Sequence, residues 1–562
     1  MNFRLNFRAP TPRTLAALLV LLTVVAYLPA IGAGTIWDDD TLLTANPQMR
    51  SIDGLAQIWR GEHSRDYTPL TLSSFWLEWR LWGDTPTGYH AGNILLHALC
   101  ALLLWRILER LRVPGAWLGA LLFAIHPVNV ASVAWVAERK NTLSFAFFLG
   151  SVLCYLAGRD GQRRALYLGS IGLFLLAALS KGAVVAMPAV LLLCVLWQDR
   201  KIGRRDLWQV IPCALIAIAA SLLTIRFQAR AQHYGLLPDS AAYRVARAGA
   251  SVWFYLGALF WPAGMSPMRE PWLPNLRSPL TYLPALAAAA APALFYWNRR
   301  TWGRPLLFAY TYYLLMLLPV LGFVWMTLMQ ETPGADWWQY MAAPGIFACA
   351  AAGFVAASRK WRPAIPLLGL VIVLLVIQTW RRAAIYHSME TYCRAVTAED
   401  PHAWTLQNNL GILLKRQGRF AGAEACYHQA LLDNPGYVEA HINLGNALGA
   451  AGDLAAAQAE FRRAAQMRPG DPHTAEGLAI LGGMFAGKGQ FAQAEACFRD
   501  ALALAPESIP LRIELCQTLV EQGKKEEAIE VCGEVDQLAR KSGDPDAIAA
   551  AAKLRHDCEA PH

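Results

Sequence analysis

Twelve apolar segments, near 14–31, 91–108, 115–130, 142–157, 165–180, 183–198, 208–225, 247–262, 280–297, 306–325, 341–357 and 363–379, constrain this chain more than any other feature. Several are shorter than the roughly 20 residues a helix needs to cross a bilayer, so their ends are soft. Basic loops separate them: Arg106 to Arg112, Arg159 to Arg164, Arg200 to Arg205, Arg299 to Arg304 and Arg359 to Arg362. Short loops rich in Lys and Arg mark the cytoplasmic side. If all twelve segments crossed, parity would put the last two basic loops outside. If 247–262 fails to cross, every basic loop lies inside and the C-terminal part lies outside. That segment runs into Trp261-Pro262 and a proline-rich stretch to Pro279, so about eleven spans are expected. Arg4, Arg8 and Arg13 ahead of the first segment suit a signal peptide, but the many spans that follow favour an uncleaved first span with its N-terminus inside.

The composition changes near residue 380. Residues 1–380 carry 32 Lys and Arg against 17 Asp and Glu, whereas 381–562 carry 18 against 24 and read as soluble. The net charge of +9 therefore belongs to membrane loops and is no nucleic-acid signal. The eleven cysteines show no CxxC pair and no regular spacing, so neither a metal site nor a disulfide framework is expected.

The second part repeats. Pro401, Pro435 and Pro469 are 34 residues apart and Pro506 follows after 37. Between them recur Leu410-Gly411, Leu444-Gly445 and Leu481-Gly482, then Ala423, Ala457 and Ala494, then Tyr427, Phe461 and Phe498, then Ala430, Ala464 and Ala501. Small residues let paired helices approach, aromatics fill the space between, and proline ends each unit. This resembles the tetratricopeptide repeat over about 402–506, with a degenerate fourth unit to about 535. Cys426 and Cys497 occupy one repeat position and read as packing residues. Such arrays stack into superhelices whose concave face binds peptides or proteins. The expected organisation is all-α: a polytopic membrane helix bundle over 1–380, a repeat solenoid over 381–540, and a capping helix and tail over 541–562.

Three adjacent carboxylates, Asp38-Asp39-Asp40, stand where the first span should emerge into water. Carboxylates are costly near hydrocarbon and tend to be kept for a task, so the cluster is read as the catalytic centre of a membrane transferase. The alternative is a solvated helix end, since acids in an outer loop cost little. Further polar motifs follow, mostly in segments expected outside: Tyr67-Thr68-Pro69-Leu70-Thr71, Pro86-Thr87-Gly88-Tyr89-His90, Trp135 to Asn141, Ser180-Lys181 and Ala335 to Tyr340, with His126-Pro127-Val128 near the end of the third apolar segment. His90, Asn93 and His97 share one face of the second span by helical spacing.

The order WDDD, PLT, GYHxxNxxLH, HPV, VAWVAERK, a lone SK and a late ADxWQY resembles bacterial members of the family that includes the transmembrane and tetratricopeptide-repeat O-mannosyltransferases, within the GT-C superfamily of glycosyltransferases that use polyprenyl-phosphate sugars. The resemblance covers essentially the whole chain, and 35–145 is its most specific part. It implies a GT-C-like bundle in a bacterial inner membrane, a lipid-linked sugar donor, and transfer at the periplasmic face to an acceptor, expected to be a protein or peptide held by the repeats. It also implies an acidic pair in the first outer loop, which maps onto Asp38 and Asp39 with Asp40 a third candidate. An acceptor hydroxyl is a weak nucleophile that a positioned carboxylate can deprotonate. The departing lipid phosphate needs cations, for which Arg139, Lys140, Lys181 and Arg269 are the candidates, with Arg226 and Arg230 beside them. Tyr67, His90, Asn93, His97, His126, Glu138, Asp336 and Tyr340 are supporting candidates. No cofactor is expected to be required, although carboxylates also suit a divalent metal. Relatives tend to read HPxHVES and ERKD, where this chain has Asn129, Ala131 and Asn141, and the late motif has Trp337 where an arginine would stand.

Structural roles compete at several positions. His126 before proline suits a helix-end hydrogen bond, and His90, Asn93 and His97 suit links between spans. Lys181 suits an interfacial position reached by its long stem. As a whole, the rival readings are a non-catalytic membrane-anchored scaffold presenting the repeats to partners, and a lipid-glycan transporter, for which the spans carry too few charges.

Overall fold

The computed structural model describes residues 11–62, 66–159, 163–229, 240–262, 274–323, 334–542, 548–549 and 552–555. Among these every regular element is helical. The chain divides into two compact units, Met1–Tyr392 and Cys393–His562. The division falls beyond the compositional break at 380 because the segment after the last long helix folds back: the N–H of Gly34 donates to the His387 carbonyl at 2.9 Å.

The first unit contains α1 (Pro12–Ile31), α2 (Ile52–Arg60), α3 (Pro69–Trp82), α4 (Pro86–Arg110), α5 (Ala116–Ile125), α6 (Val130–Ala134), α7 (Arg139–Gly158), α8 (Arg164–Ser180), α9 (Met187–Asp199), α10 (Arg204–Gln228), α11 (Ala241–Phe260), α12 (Leu283–Trp297), α13 (Gly303–Leu317), α14 (Ala343–Ser358) and α15 (Ala364–Ala384). Among the described residues, seven helices are long and apolar enough to cross a membrane, or eight if α5 and α6, bent by 54° at their junction, form one span. Eleven crossings would further need the shorter α8, α14 and the 15-residue α13. α11, over the segment expected not to cross, is absent from the long apolar set and carries Arg244 and Arg247.

Local sequence sets these boundaries. Thr11 caps α1 by accepting the Thr14 N–H, Pro12 occupies the first turn, and Gly32 ends the helix. The segment expected at 115–130 is broken because Pro127 lacks an N–H and pushes His126 into extended backbone, with ψ 131°. α4 packs against α1, α5 and α7, which buries its polar row His90, Asn93 and His97. Above it, Leu43, Met49, Ile58, Leu72, Phe75, Tyr89 and Val136 form a buried cluster. Each such side chain contributes about 1.5–3 kcal/mol on burial, so the described residues between α1 and α4 pack as a folded layer.

α16 (Met389–Glu399) crosses the division between the units, and four helical hairpins follow: α17 (Trp404–Arg416) with α18 (Phe420–Asp433), α19 (Val438–Ala451) with α20 (Leu454–Met467), α21 (Pro472–Gly487) with α22 (Phe491–Leu504), and α23 (Ile509–Glu521) with α24 (Lys525–Ser542). Each hairpin turn places a glycine at positive φ: Gly418, Gly452, Gly489 and Gly523. The fourth unit, degenerate in sequence, is thus a complete hairpin. Among the described cysteines, Cys516 and Cys532 form a disulfide, a single cross-link where the sequence announced no disulfide framework. Their spacing is the repeat's own and announces no cysteine motif. The expected capping helix and tail at 541–562 fall largely outside the described residues.

Candidate active site

The acidic triplet lies in the turn after α1, and the fold treats its three members differently. Trp37 is held at φ 51°, in the left-handed region that favours glycine. Asp40–Thr44 closes as a single π-helical turn, a departure from α geometry that often marks functional sites. Asp40 accepts the hydroxyls of Thr35 and Thr44 at 2.9 and 3.2 Å. Asp39 is fully buried, and its two oxygens accept the backbone N–H groups of Ile36 at 2.9 Å and Ala137 at 2.7 Å. Asp38 is exposed, and among the described residues its carboxylate makes no hydrogen bond or ion pair. One acid therefore staples the turn after α1 to the turn before α7, one holds its own turn, and one remains open to a ligand.

Burial raises the Asp39 carboxyl from 3.8 to about 7; the Ile36 and Ala137 amides oppose this, and Asp38 and Asp40 add to it. Between those two values the folded chain holds a proton that the unfolded chain has released. Stability from this group is therefore complete below pH 4 and is lost as pH rises through 7. We expect thermal unfolding of the purified chain to show a loss on the order of 2–4 kcal/mol between pH 5 and 8, and Asp39→Asn to flatten that slope. A slope unchanged in the variant would refute this origin.

The cations gather one turn away. Lys140 Nζ lies 2.9 Å from Glu138 Oε1, and Lys181 Nζ lies 4.0 Å from Glu138 Oε2. Asn141 joins the three: its amide nitrogen donates to Glu138 at 2.6 Å and to Ser132 at 3.0 Å, and its oxygen accepts from Lys181 at 2.5 Å. Glu138 is buried, while the Lys140 and Lys181 side chains keep 25% and 17% of their surface. Asp38 and Asp66 act electrostatically on Lys140. Two partly accessible ammonium groups thus share one buried carboxylate, and the open aspartate acts on one of them, Lys140. A carboxylate at 141 in place of Asn141 would set a second negative charge against Glu138; the amide instead bridges acid and base.

Arg139 is not available in the way the sequence suggested. Its guanidinium is buried, pairs with Glu78, donates from Nε to Asn93 at 2.7 Å and from Nη2 to the Tyr89 carbonyl at 2.7 Å, and lies over Phe75 at 4.7 Å. It ties α3, α4 and α7 together and has no face left for a phosphate. Arg269 and Arg230 lie outside the described residues, and Arg226 is exposed near the end of α10.

The supporting candidates hold the site from behind. His97 donates from Nε2 to the Ala124 carbonyl at 3.0 Å and accepts the Tyr340 hydroxyl at 2.8 Å. His126 donates to the Leu259 carbonyl at 3.2 Å and accepts the Val128 N–H at 3.3 Å, as a helix-end residue does. Asn93 donates to the Trp135 carbonyl at 3.2 Å. His90 Nε2 faces the Gly34 carbonyl at 3.3 Å, close to the acidic turn. Tyr67 donates to the Trp59 carbonyl and stacks on Phe227 at 5.2 Å. Asp336 pairs with Arg382 from α15, which supplies the cation that the late motif lacks at Trp337. Thr71 reaches the Ser180 carbonyl at 2.9 Å, and Asn141 reaches Trp337. Segments 32–62, 66–90, 131–141, 181, 226–229 and 334–340 thus converge. Sequence reasoning overlooked Glu78, Ser132 and Arg382; the rarity of acids in the first 380 residues was a usable signal for Glu78 alone.

In the second unit, a groove of about 600 Å³ runs along the first helices of successive hairpins, lined among others by Lys415, Glu439, Asn443, Asn446, His473 and Glu476.

Tetratricopeptide-repeat family models match residues 408–472 and 485–554. Over 216 residues the chain is 26% identical to a protein O-mannosyl-transferase of Caenorhabditis elegans, covering 36% of this chain and 30% of that protein. It is 28% identical over 222 residues to a Drosophila melanogaster protein O-mannosyl-transferase, covering 37% of this chain and 25% of that one. It is 30% identical over 148 residues to a mouse protein O-mannosyl-transferase, covering 24% and 18%. The matches thus span less than a third of these relatives' lengths. They carry the name of the family that the motifs resemble. Among solved structures, the MamA protein is 18% identical, covering 28% of this chain and 84% of that one with a TM-score of 0.25. Yeast Tom70 is 15% identical, covering 75% and 92% with a TM-score of 0.23. At these scores neither carries an argument.

Proposed function

We propose that this chain is a membrane glycosyltransferase that moves a sugar, mannose by analogy with the relatives' names, from a polyprenyl-phosphate carrier to a protein acceptor at the periplasmic face of a bacterial inner membrane. The observation that carries the reading is the open Asp38 carboxylate acting electrostatically on Lys140, whose ammonium shares the buried Glu138 carboxylate with Lys181. In the reaction, Asp38 takes the proton of the acceptor hydroxyl as its oxygen bonds to the anomeric carbon. The bond from that carbon to the phosphate oxygen breaks, and the leaving phosphate collects negative charge. Lys140 and Lys181 stabilise that charge, and no resident cofactor is assigned. Asp39, Arg139 and His97 position the loops and touch no substrate. The groove along the repeats serves to hold an acceptor segment.

The test is sugar transfer to protein from a polyprenyl-phosphate mannose in membranes carrying the wild-type chain and Lys181→Ala. We expect transfer in the wild type and a fall of about tenfold to a hundredfold in the variant, mainly in kcat. Absence of transfer in well-expressed wild type, or full activity in the variant, would overturn this assignment.

A further inference from the structure

In three of the four hairpins a glycine on the first helix lies against an aromatic ring on the second. An added Cβ on Gly411 would fall 2.5 Å from Tyr427, on Gly445 3.0 Å from Phe461, and on Gly482 2.8 Å from Phe498. Each pair is 16 residues apart. In the fourth hairpin the corresponding positions are Cys516 and Cys532, at the same separation of 16, with Cα atoms 6.3 Å apart and the sulfurs bonded. Both cysteines are buried. The preceding Leu515 repeats the leucine of Leu410-Gly411, Leu444-Gly445 and Leu481-Gly482.

We propose that a covalent cross-link between Cys516 and Cys532 replaces the glycine–aromatic contact in the last hairpin, and that the repeat unit accordingly matures in an oxidising compartment. Two small cysteines bury less apolar surface than a phenyl ring against glycine. The cross-link offsets this by removing open conformations of the loop between them. In its formation the two thiols give up two protons and two electrons. The oxidant is a protein disulfide of the extracytoplasmic thiol–disulfide exchange system, which is reduced to two thiols as the Sγ–Sγ bond forms. Burial requires the exchange to precede closure of the hairpin. Stable disulfides belong to oxidising compartments such as the periplasm. This deepens the location assigned above to the repeats and does not depend on sugar transfer. Cys426 and Cys497, also in the repeats, are free and serve as internal controls.

The test uses full-length chain in cells quenched with acid, denatured, and tagged on thiols with a maleimide polymer. Of eleven cysteines, two fewer are expected to take the tag before reduction than after it. Cys516→Ser with Cys532→Ser removes that difference. A wild-type chain that takes the same number of tags before and after reduction would overturn the proposal. A second variant, Cys516→Gly with Cys532→Phe, restores the repeat's own pair. The melting of its repeat unit is expected to ignore reductant, whereas that of the wild type falls by roughly 5–10 °C. Wild-type melting indifferent to reductant would also overturn it. Neither readout involves transfer, so an inactive chain leaves the result intact.

Discussion

Asp38→Asn is expected to lower sugar transfer by about 10²–10⁴-fold, the usual cost of losing a general base, with melting temperature and expression unchanged. Asp38 is exposed and makes no side-chain bond among the described residues, so its removal leaves the loop intact. The neighbouring acids supply the controls. Asp40→Asn loses part of a turn contact with Thr35 and Thr44 and is expected to cost far less activity. Asp39→Asn weakens the staple to Ala137, because an amide nitrogen cannot accept that N–H; its effect should appear in stability as well as in rate. Transfer measured from a defined polyprenyl-phosphate mannose, with melting followed in parallel, separates the three. Full activity in Asp38→Asn would remove this residue from the mechanism and send the search for the base elsewhere in the outer loop.

Arg139→Met is expected to destabilise the first unit by about 3–5 kcal/mol, because it leaves the Glu78 carboxylate partly buried without its partner. In cells this should register as loss of folded protein. The double variant Arg139→Met with Glu78→Leu is expected to recover most of the loss, since replacing both members of a buried pair by apolar side chains is often neutral. Size-exclusion profiles of the solubilised variants and their melting curves measure both. A single variant with wild-type stability and reduced sugar transfer would return Arg139 to the donor site. Loss of folding in the single variant, rescued in the double, would keep it as the clamp between α3, α4 and α7.

The contrast between Arg139 and Lys140 shows where sequence reasoning stopped. Adjacent in the chain and both basic, they were equal candidates for a phosphate. Helical geometry sends neighbouring side chains about 100° apart, so one enters the core and the other reaches the site, and which does so depends on Glu78, 61 residues away. Asn141 shows the same limit from the other side. As a departure from the family motif it read as a lost carboxylate; in place, it bridges Glu138 and Lys181. The helix break at His126-Pro127, by contrast, follows from the proline itself, and the paired histidine nitrogens behave as a helix end requires.

The sequence by itself determined the helical class, the long apolar helices, the repeat array, and the connecting segments that carry polar motifs. These follow from periodicity, from hydropathy over about 20 residues, and from backbone rules for proline and glycine, all of which act within a single segment. Only the tertiary structure decided which aspartate is open, which cations are accessible, and that Cys516 meets Cys532. Asp39 is buried where it accepts the N–H of Ala137, 98 residues away, while Asp38 beside it faces out. Such sorting depends on contacts between segments distant in the chain. Three adjacent carboxylates are chemically equal until the fold gives them different neighbours.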